Sequence, residues 1–196
     1  MKNNFKLFYH ILLFALVITS VCSVSFAGKN DLPAPPKGYS WKWCESVQAG
    51  FLLPKRWFFK EDENKGTRAI FITKEPLAEN NTYKTGFSVN VIKECKDKMG
   101  MVPSEYAKQF IDKLKLTTEY SDLDTVEIGT YFKGYNGFFR SEVPGIGKGI
   151  QFNLALGNDH TGTFYLFILK SPESEWDAAL KIGGPIMDNL TLESEF

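Results

Sequence analysis

Cysteine and histidine are scarce in this chain, and neither sign of charge predominates. Its 196 residues include three cysteines and two histidines, and 23 lysines and arginines balance 23 aspartates and glutamates. Without a basic surplus a protein gains little from displacing counterions off phosphates, which argues against a nucleic-acid binder. Three cysteines are too few to staple a miniprotein, and no Cys-x-x-Cys pair marks a redox motif. His160 is the one histidine beyond the first 27 residues, and with Cys44 and Cys95 far from it no zinc site of ordinary ligand spacing can form. What is present is ordinary: 43% hydrophobic, 23% charged and 15% aromatic residues. That composition fits one globular domain and excludes disorder or a collagen-like chain.

The first 27 residues read as an address. Lys2 and Lys6 give a basic start, Leu7 to Ile18 is apolar apart from His10, and Ser25-Phe26-Ala27 places small residues where a signal peptidase reads. This is the pattern of a secretory signal cleaved after Ala27, too short to span a membrane. Lipidation at Cys22 is the competing reading, disfavoured because Val21 before it is bulky for that processing site. The mature chain is therefore expected to start at Gly28 and to work in the periplasm or outside the cell. In such an oxidising compartment Cys44 and Cys95 can form one disulfide; the alternative is two separate buried thiols.

Pro33, Pro35, Pro36 and Gly38 make residues 28–38 an extended leader. Residues 39–196 then read as a single domain. Trp41 and Trp43 alternate with Lys42 and Cys44 as in a half-buried strand, and Ala49 to Leu53 is a second short run stopped by Pro54. Runs at Trp57–Lys60 and Arg68–Thr73 flank the polar segment Glu61 to Gly66, which reads as a hairpin turn. Gly86 to Val91 alternates Phe87, Val89 and Val91 on one face. A helix opens at Pro103 with Tyr106, Phe110, Ile111 and Leu114 on one stripe. Four strands follow, at Thr125–Phe132, Gly137–Val143, Ile150–Leu156 and Phe164–Lys170, with turns at Lys133 to Asn136, Pro144 to Gly147 and Gly157 to Gly162. A last helix is expected from Ser171, kinked or divided at Gly183-Gly184-Pro185. Strands joined by short turns, with two helices, imply an α+β fold with a mostly antiparallel sheet covered by helices.

Few residues carry recognisable chemistry. His160 lies in a Gly-Asn-Asp-His-Thr-Gly turn, a poor mount for nucleophilic catalysis. Glu61, Asp62 and Glu63 lack the alternating spacing of a calcium loop. Val143 to Gly149 is glycine-rich without the spacing of a phosphate loop. Asn80-Asn81-Thr82 and Asn189-Leu190-Thr191 fit a glycosylation pattern that chance also produces. No cofactor is implied, and an acidic pair serving hydrolysis is the remaining enzymatic reading. The tryptophans belong to the core by their burial tendency; for Tyr131, Phe132 and Tyr135 beside a glycine turn, burial in the core is the leading reading and a candidate recognition surface the competing one.

The order of motifs resembles one family. Ala49-Gly50-Phe51-Leu52-Leu53-Pro54-Lys55-Arg56-Trp57 resembles the opening of PsbP-like proteins, the extrinsic photosystem II subunit family. Ser88-Val89-Asn90-Val91 resembles that family's next core strand, Pro103-Ser104-Glu105-Tyr106 through Phe110 its first helix, and Phe164-Tyr165-Leu166 with Glu175-Trp176 its last strand and helix start. The resemblance implies an antiparallel sheet sandwiched between helices, shared with a nuclear factor that binds the GTPase Ran. It also implies a non-enzymatic binding or assembly role. The export signal in place of a plastid transit peptide, and the short leader in place of a long N-terminal arm, separate this chain from photosystem service. The expectation is an exported, non-catalytic accessory protein of the cell envelope with a protein partner. A carrier of a small hydrophobic ligand, with an aromatic-lined pocket between sheet and helix, is the alternative.

Overall fold

The computed structural model describes residues 32–64, 66–143, 147–192 and 195–196. The expected signal segment, its cleavage site at Ala27 and Cys22 lie outside the described residues. The prolines keep residues 32–36 free of helix and strand, and the Trp41 indole Nε1 holds the segment by donating to the Pro33 carbonyl at 2.6 Å.

The described residues form an α+β sandwich of two antiparallel sheets. β1 (Tyr39–Cys44) pairs with β2 (Ala49–Pro54), whose other edge takes the two-residue β10 (Thr191–Leu192). The second sheet has seven strands, all antiparallel. In spatial order they are β3 (Phe58–Asn64), β4 (Thr67–Thr73), β5 (Gly86–Ile92), β9 (Thr163–Pro172), β8 (Gly147–Asn158), β7 (Phe132–Val143) and β6 (Glu119–Ile128). The helices are α1 (Cys95–Met99), α2 (Pro103–Lys115) and α3 (Trp176–Asp188), the last preceded by a 3₁₀ turn at Glu173–Glu175.

Strand β9, at the centre, explains the layering. Successive side chains on a strand point to opposite faces. Phe164, Leu166 and Ile168 therefore meet α2, while Tyr165, Phe167 and Leu169 meet the small sheet and α3. On that second face an aromatic row crosses the strands: Phe51 to Phe87 at 6.2 Å between ring centroids, Phe87 to Phe167 at 6.3 Å, Phe167 to Tyr165 at 6.1 Å and Tyr165 to Phe132 at 5.9 Å. Full burial of each such side chain stabilises the fold by about 1.5–3 kcal/mol.

Helix α2 opens on Pro103 at its first position, as expected, but is capped from elsewhere. Asp159, in the β8–β9 turn, accepts from the Ser104 backbone N–H at 2.9 Å and from its hydroxyl at 2.6 Å, satisfying an orphan donor and placing negative charge at the helix start. Gly157 makes this approach possible, since a Cβ there would lie 2.3 Å from Ser104 N.

Several expected boundaries move. Glu61 to Asn64 belongs to edge strand β3 instead of a turn, because it pairs with Thr67 to Ile70. The turn expected at Lys133 to Asn136 lies inside β7, and the chain reverses at 129–131 instead, with Gly129 at φ 58°. Ser171 and Pro172 finish β9 and do not cap the last helix. Helix α3 runs unbroken through Gly183-Gly184-Pro185. Pro185 forfeits one helical hydrogen bond, but Ile186 and Met187 beside it are buried, and Gly183 lets α3 approach β9 so closely that a Cβ would fall 2.3 Å from Leu169 Cδ1.

Candidate functional site

The three residues of the candidate recognition surface separate. Phe132 is fully buried in the aromatic row, and Tyr135, three residues further along β7, faces the opposite side and packs half-buried with the α2 cluster. An odd spacing along a strand forbids a shared face, so the trio expected from a turn cannot form once the turn becomes a strand. Tyr131, in the actual turn, stays 37% exposed.

Tyr131 has a partner the sequence did not announce. Its ring stacks on His160 with centroids 4.9 Å apart and planes inclined by 21°. The register explains the meeting. Phe132 pairs with Asn158, so the turn before β7 and the turn after β8 lie side by side. Asn158 Oδ1 accepts from the backbone N–H groups of His160 and Thr161 at 3.1 and 3.2 Å, which shapes the second turn. His160 Nε2 lies 3.3 Å from Glu195 Oε2, and the His160 side chain is 54% exposed. Nearby, the Thr163 hydroxyl donates to the Phe196 carbonyl at 3.0 Å, and Lys93 Nζ sits 3.8 Å from the centre of the Phe196 ring. One end of the molecule therefore presents a stacked aromatic and imidazole pair flanked by a carboxylate.

The thiols do not pair. Cys44 is buried with the cluster beneath the small sheet and Cys95 with the cluster under α2, on opposite faces of the seven-stranded sheet, and both are free. The Cys44–Cys95 bond considered from their even number is thus not made, because the sheet stands between them. Burial, with help from the Glu61 carboxylate, pushes the Cys44 thiol up to about 12; burial, with Asp159, pushes Cys95 up to about 11. Neither is a nucleophile at neutral pH.

The acidic segment Glu61 to Glu63 is partnered within the fold. Glu61 accepts from the Ser46 hydroxyl at 2.9 Å, and Asp62 accepts from Asn81 Nδ2 at 2.6 Å and from Lys60 at 3.2 Å. The Asn81 hydrogen bond, with the Lys60 one, holds the Asp62 carboxyl below its usual range. Among the described residues no three His, Cys, Asp or Glu side chains converge as metal ligands. The glycine-rich segment Val143 to Gly149 ends β7 and begins β8, with residues 144–146 outside the described ones. At the end of β8 remote from His160, a cavity of about 50 Å³ opens on the α2 side of the sheet, lined by Tyr83, Lys84, Ser141, Gln151 and Lys170. No described helix is long and apolar enough to cross a membrane.

No protein-family profile matches the chain, and no curated protein does. Solved structures do resemble it in arrangement. A cyanobacterial PsbP (CyanoP) from Synechocystis sp. PCC 6803 aligns at 10% identity with a TM-score of 0.47, covering 82% of this chain and 97% of the other. The Ran-binding protein Mog1p of Saccharomyces cerevisiae aligns at 10% identity with a TM-score of 0.40, covering 80% and 86% respectively. A protein from Bacteroides thetaiotaomicron aligns at 13% identity with a TM-score of 0.39, covering 72% of this chain and 44% of its own.

Proposed function

We propose that this chain is an exported, non-catalytic accessory protein of the cell envelope that docks a protein partner at the hairpin end carrying Tyr131 and His160. The observation that carries the reading is the stacked pair itself. Two flat side chains are held face to face by adjoining turns, half in solvent, where a tyrosine supplies contact area at little cost in ordering entropy. The motif order that resembles PsbP-like proteins supports an accessory role, and the basic, apolar and small-residue succession ending at Ala27 supports export. The carrier reading asks for an apolar cavity. The cavity beside Lys170, at about 50 Å³, is too small for an acyl chain.

The test places a photo-cross-linking residue at Lys133, exposed next to the turn, in the full-length chain expressed in its exporting host. The expected result is a discrete cross-linked species in the envelope fraction, absent when the probe sits at exposed Lys181 on α3. Its yield should fall about tenfold on Tyr131→Ala, the loss of one interface anchor. Equal yields with and without Tyr131, or a mature chain retained in the cytoplasm, overturn the reading.

A further inference from the structure

The cavity beside Lys170 stands at the opposite end of β8 from the hairpin tip, and its inference is independent of the docking role. Lys170, near the end of β9, pairs in register with Gln151 on β8 and Gly86 on β5. By strand alternation its side chain shares the α2 face with Ile168 and Leu166. Helix α2 covers the Phe164 to Ile168 stretch of that face. The far end is roofed by the segment between β4 and β5, where Tyr83 is buried and donates its hydroxyl to Ser88 at 2.7 Å.

The Lys170 ammonium lies 4.0 Å from the centre of the Tyr83 ring, and among the described residues it makes no hydrogen bond and no ion pair. Glu75 is the acid that faces it from the roof, but that carboxylate is occupied in holding the loop, accepting from the backbone N–H groups of Lys84 and Thr85. Burial accordingly holds the Lys170 ammonium below its usual range. Gln151 is likewise half-buried with its amide unpartnered among the described residues, and the exposed Lys84 ammonium forms no ion pair among them. Two cations, an amide unpartnered among the described residues and the Ser141 hydroxyl thus line one small cavity, and against them stands the Glu75 carboxylate, which leaves a surplus of positive charge. A half-buried cation with no carboxylate in ion-pair contact costs free energy, and the arrangement is complementary to a ligand that brings further negative charge.

We propose that this cavity is a binding site for a phosphate group, free or as the head of a larger ligand. The lining residues come from different elements, the sheet floor at Gln151 and Lys170, the roof at Lys84 and the rim at Ser141, so donors from several sides are available to a tetrahedral oxyanion. Lysine serves such a group as a point charge, with no need for a planar fork. A cavity of about 50 Å³ accepts a few water-sized atoms, the scale of one such group and not of a whole nucleotide.

The experiment is an amide-detected NMR titration of the mature chain with inorganic phosphate, at fixed ionic strength against chloride. Saturable shifts are expected at Lys84, Gln151, its side-chain amide and Ser171, with a dissociation constant on the order of 1 mM. Lys170→Met should weaken binding at least about tenfold, and Lys84→Ala, an exposed change that leaves folding intact, by a few-fold, as befits losing one charge-assisted contact. Larger phosphate monoesters binding tighter than inorganic phosphate would identify the site as a headgroup pocket; equal affinity would identify it as a free-anion site. Shifts that chloride reproduces, acetate binding as tightly as phosphate, or unchanged titration in both variants overturns the proposal.

Discussion

The two faces of the seven-stranded sheet are made from alternate residues of the same strands, yet they differ in kind. The face toward β1, β2 and α3 is a closed aromatic row, with Phe87, Phe132 and Phe167 all excluded from solvent. The face toward α2 is mixed. Among apolar residues such as Phe71 and Leu166 it carries Ser88, Lys170, Gln151 and Asn153, the last fully buried with neither amide atom hydrogen-bonded. One face has been optimised for packing; the other retains polar groups that packing alone does not require. Buried polar groups are costly without partners, so the second face is where a binding role would leave its mark. The closed face is not wholly free of such groups, since the Tyr165 hydroxyl is also unpartnered there. A phenol, however, remains mostly ring, and its apolar area is buried in the row.

The strongest way to break this comparison is Phe167→Ala. Removal of a ring at the centre of the closed face should cost about 3–5 kcal/mol in urea unfolding, transfer and cavity terms together. A cost under about 1 kcal/mol, within the range of ordinary surface changes, would mean that the aromatic row is not the structural core. Asn153→Leu sharpens the contrast from the other side. Exchange of an unpartnered buried amide for an apolar group of similar size should raise stability by about 1 kcal/mol, read as a higher midpoint of unfolding at unchanged slope. Destabilisation would show that the amide is satisfied in solution and that this face is better packed than it looks.

The smallest effect concerns the thiols, one on each face. A thiol pKa raised by burial keeps the protonated form favoured, so reactivity stays low until the pH rises through the folded-state value. At pH 8 both Cys44 and Cys95 should resist iodoacetamide in the folded chain and react fully in denaturant, and the intact mass should not change on reduction. Modification of either thiol in the folded protein at the rate of a free cysteine would show that its face opens.

The helix at Pro103 and the central strands were legible because their signals are local. Pro103 at a first helical turn, and Phe87, Val89 and Val91 at alternate positions, are read without knowing what they touch. Turns with weak signals were misplaced. Lys133 to Asn136 holds a glycine, a tyrosine and an asparagine and looks like a reversal, but each of its residues has a partner on β8, and cross-strand pairing overrode composition. Gly183-Gly184-Pro185 misled in the same way, since the helix breaker was outweighed by burial that only the folded chain supplies. Of the candidate recognition surface, Tyr131 is exposed and Phe132 buried, because a shift of the turn reassigns which face each side chain takes.

By itself the sequence determined the class of fold, through hydrophobic periods that neighbouring residues impose on one another. Only the tertiary structure decided which distant residues meet. Tyr131 and His160 stack because β7 and β8 pair in one register, the two cysteines are parted by the thickness of a sheet, and Lys170 comes to lie over the Tyr83 ring with no ion pair among the described residues. Such meetings depend on register, face and helix placement, which are set by the packing of the whole chain and leave no pattern along any single stretch of it.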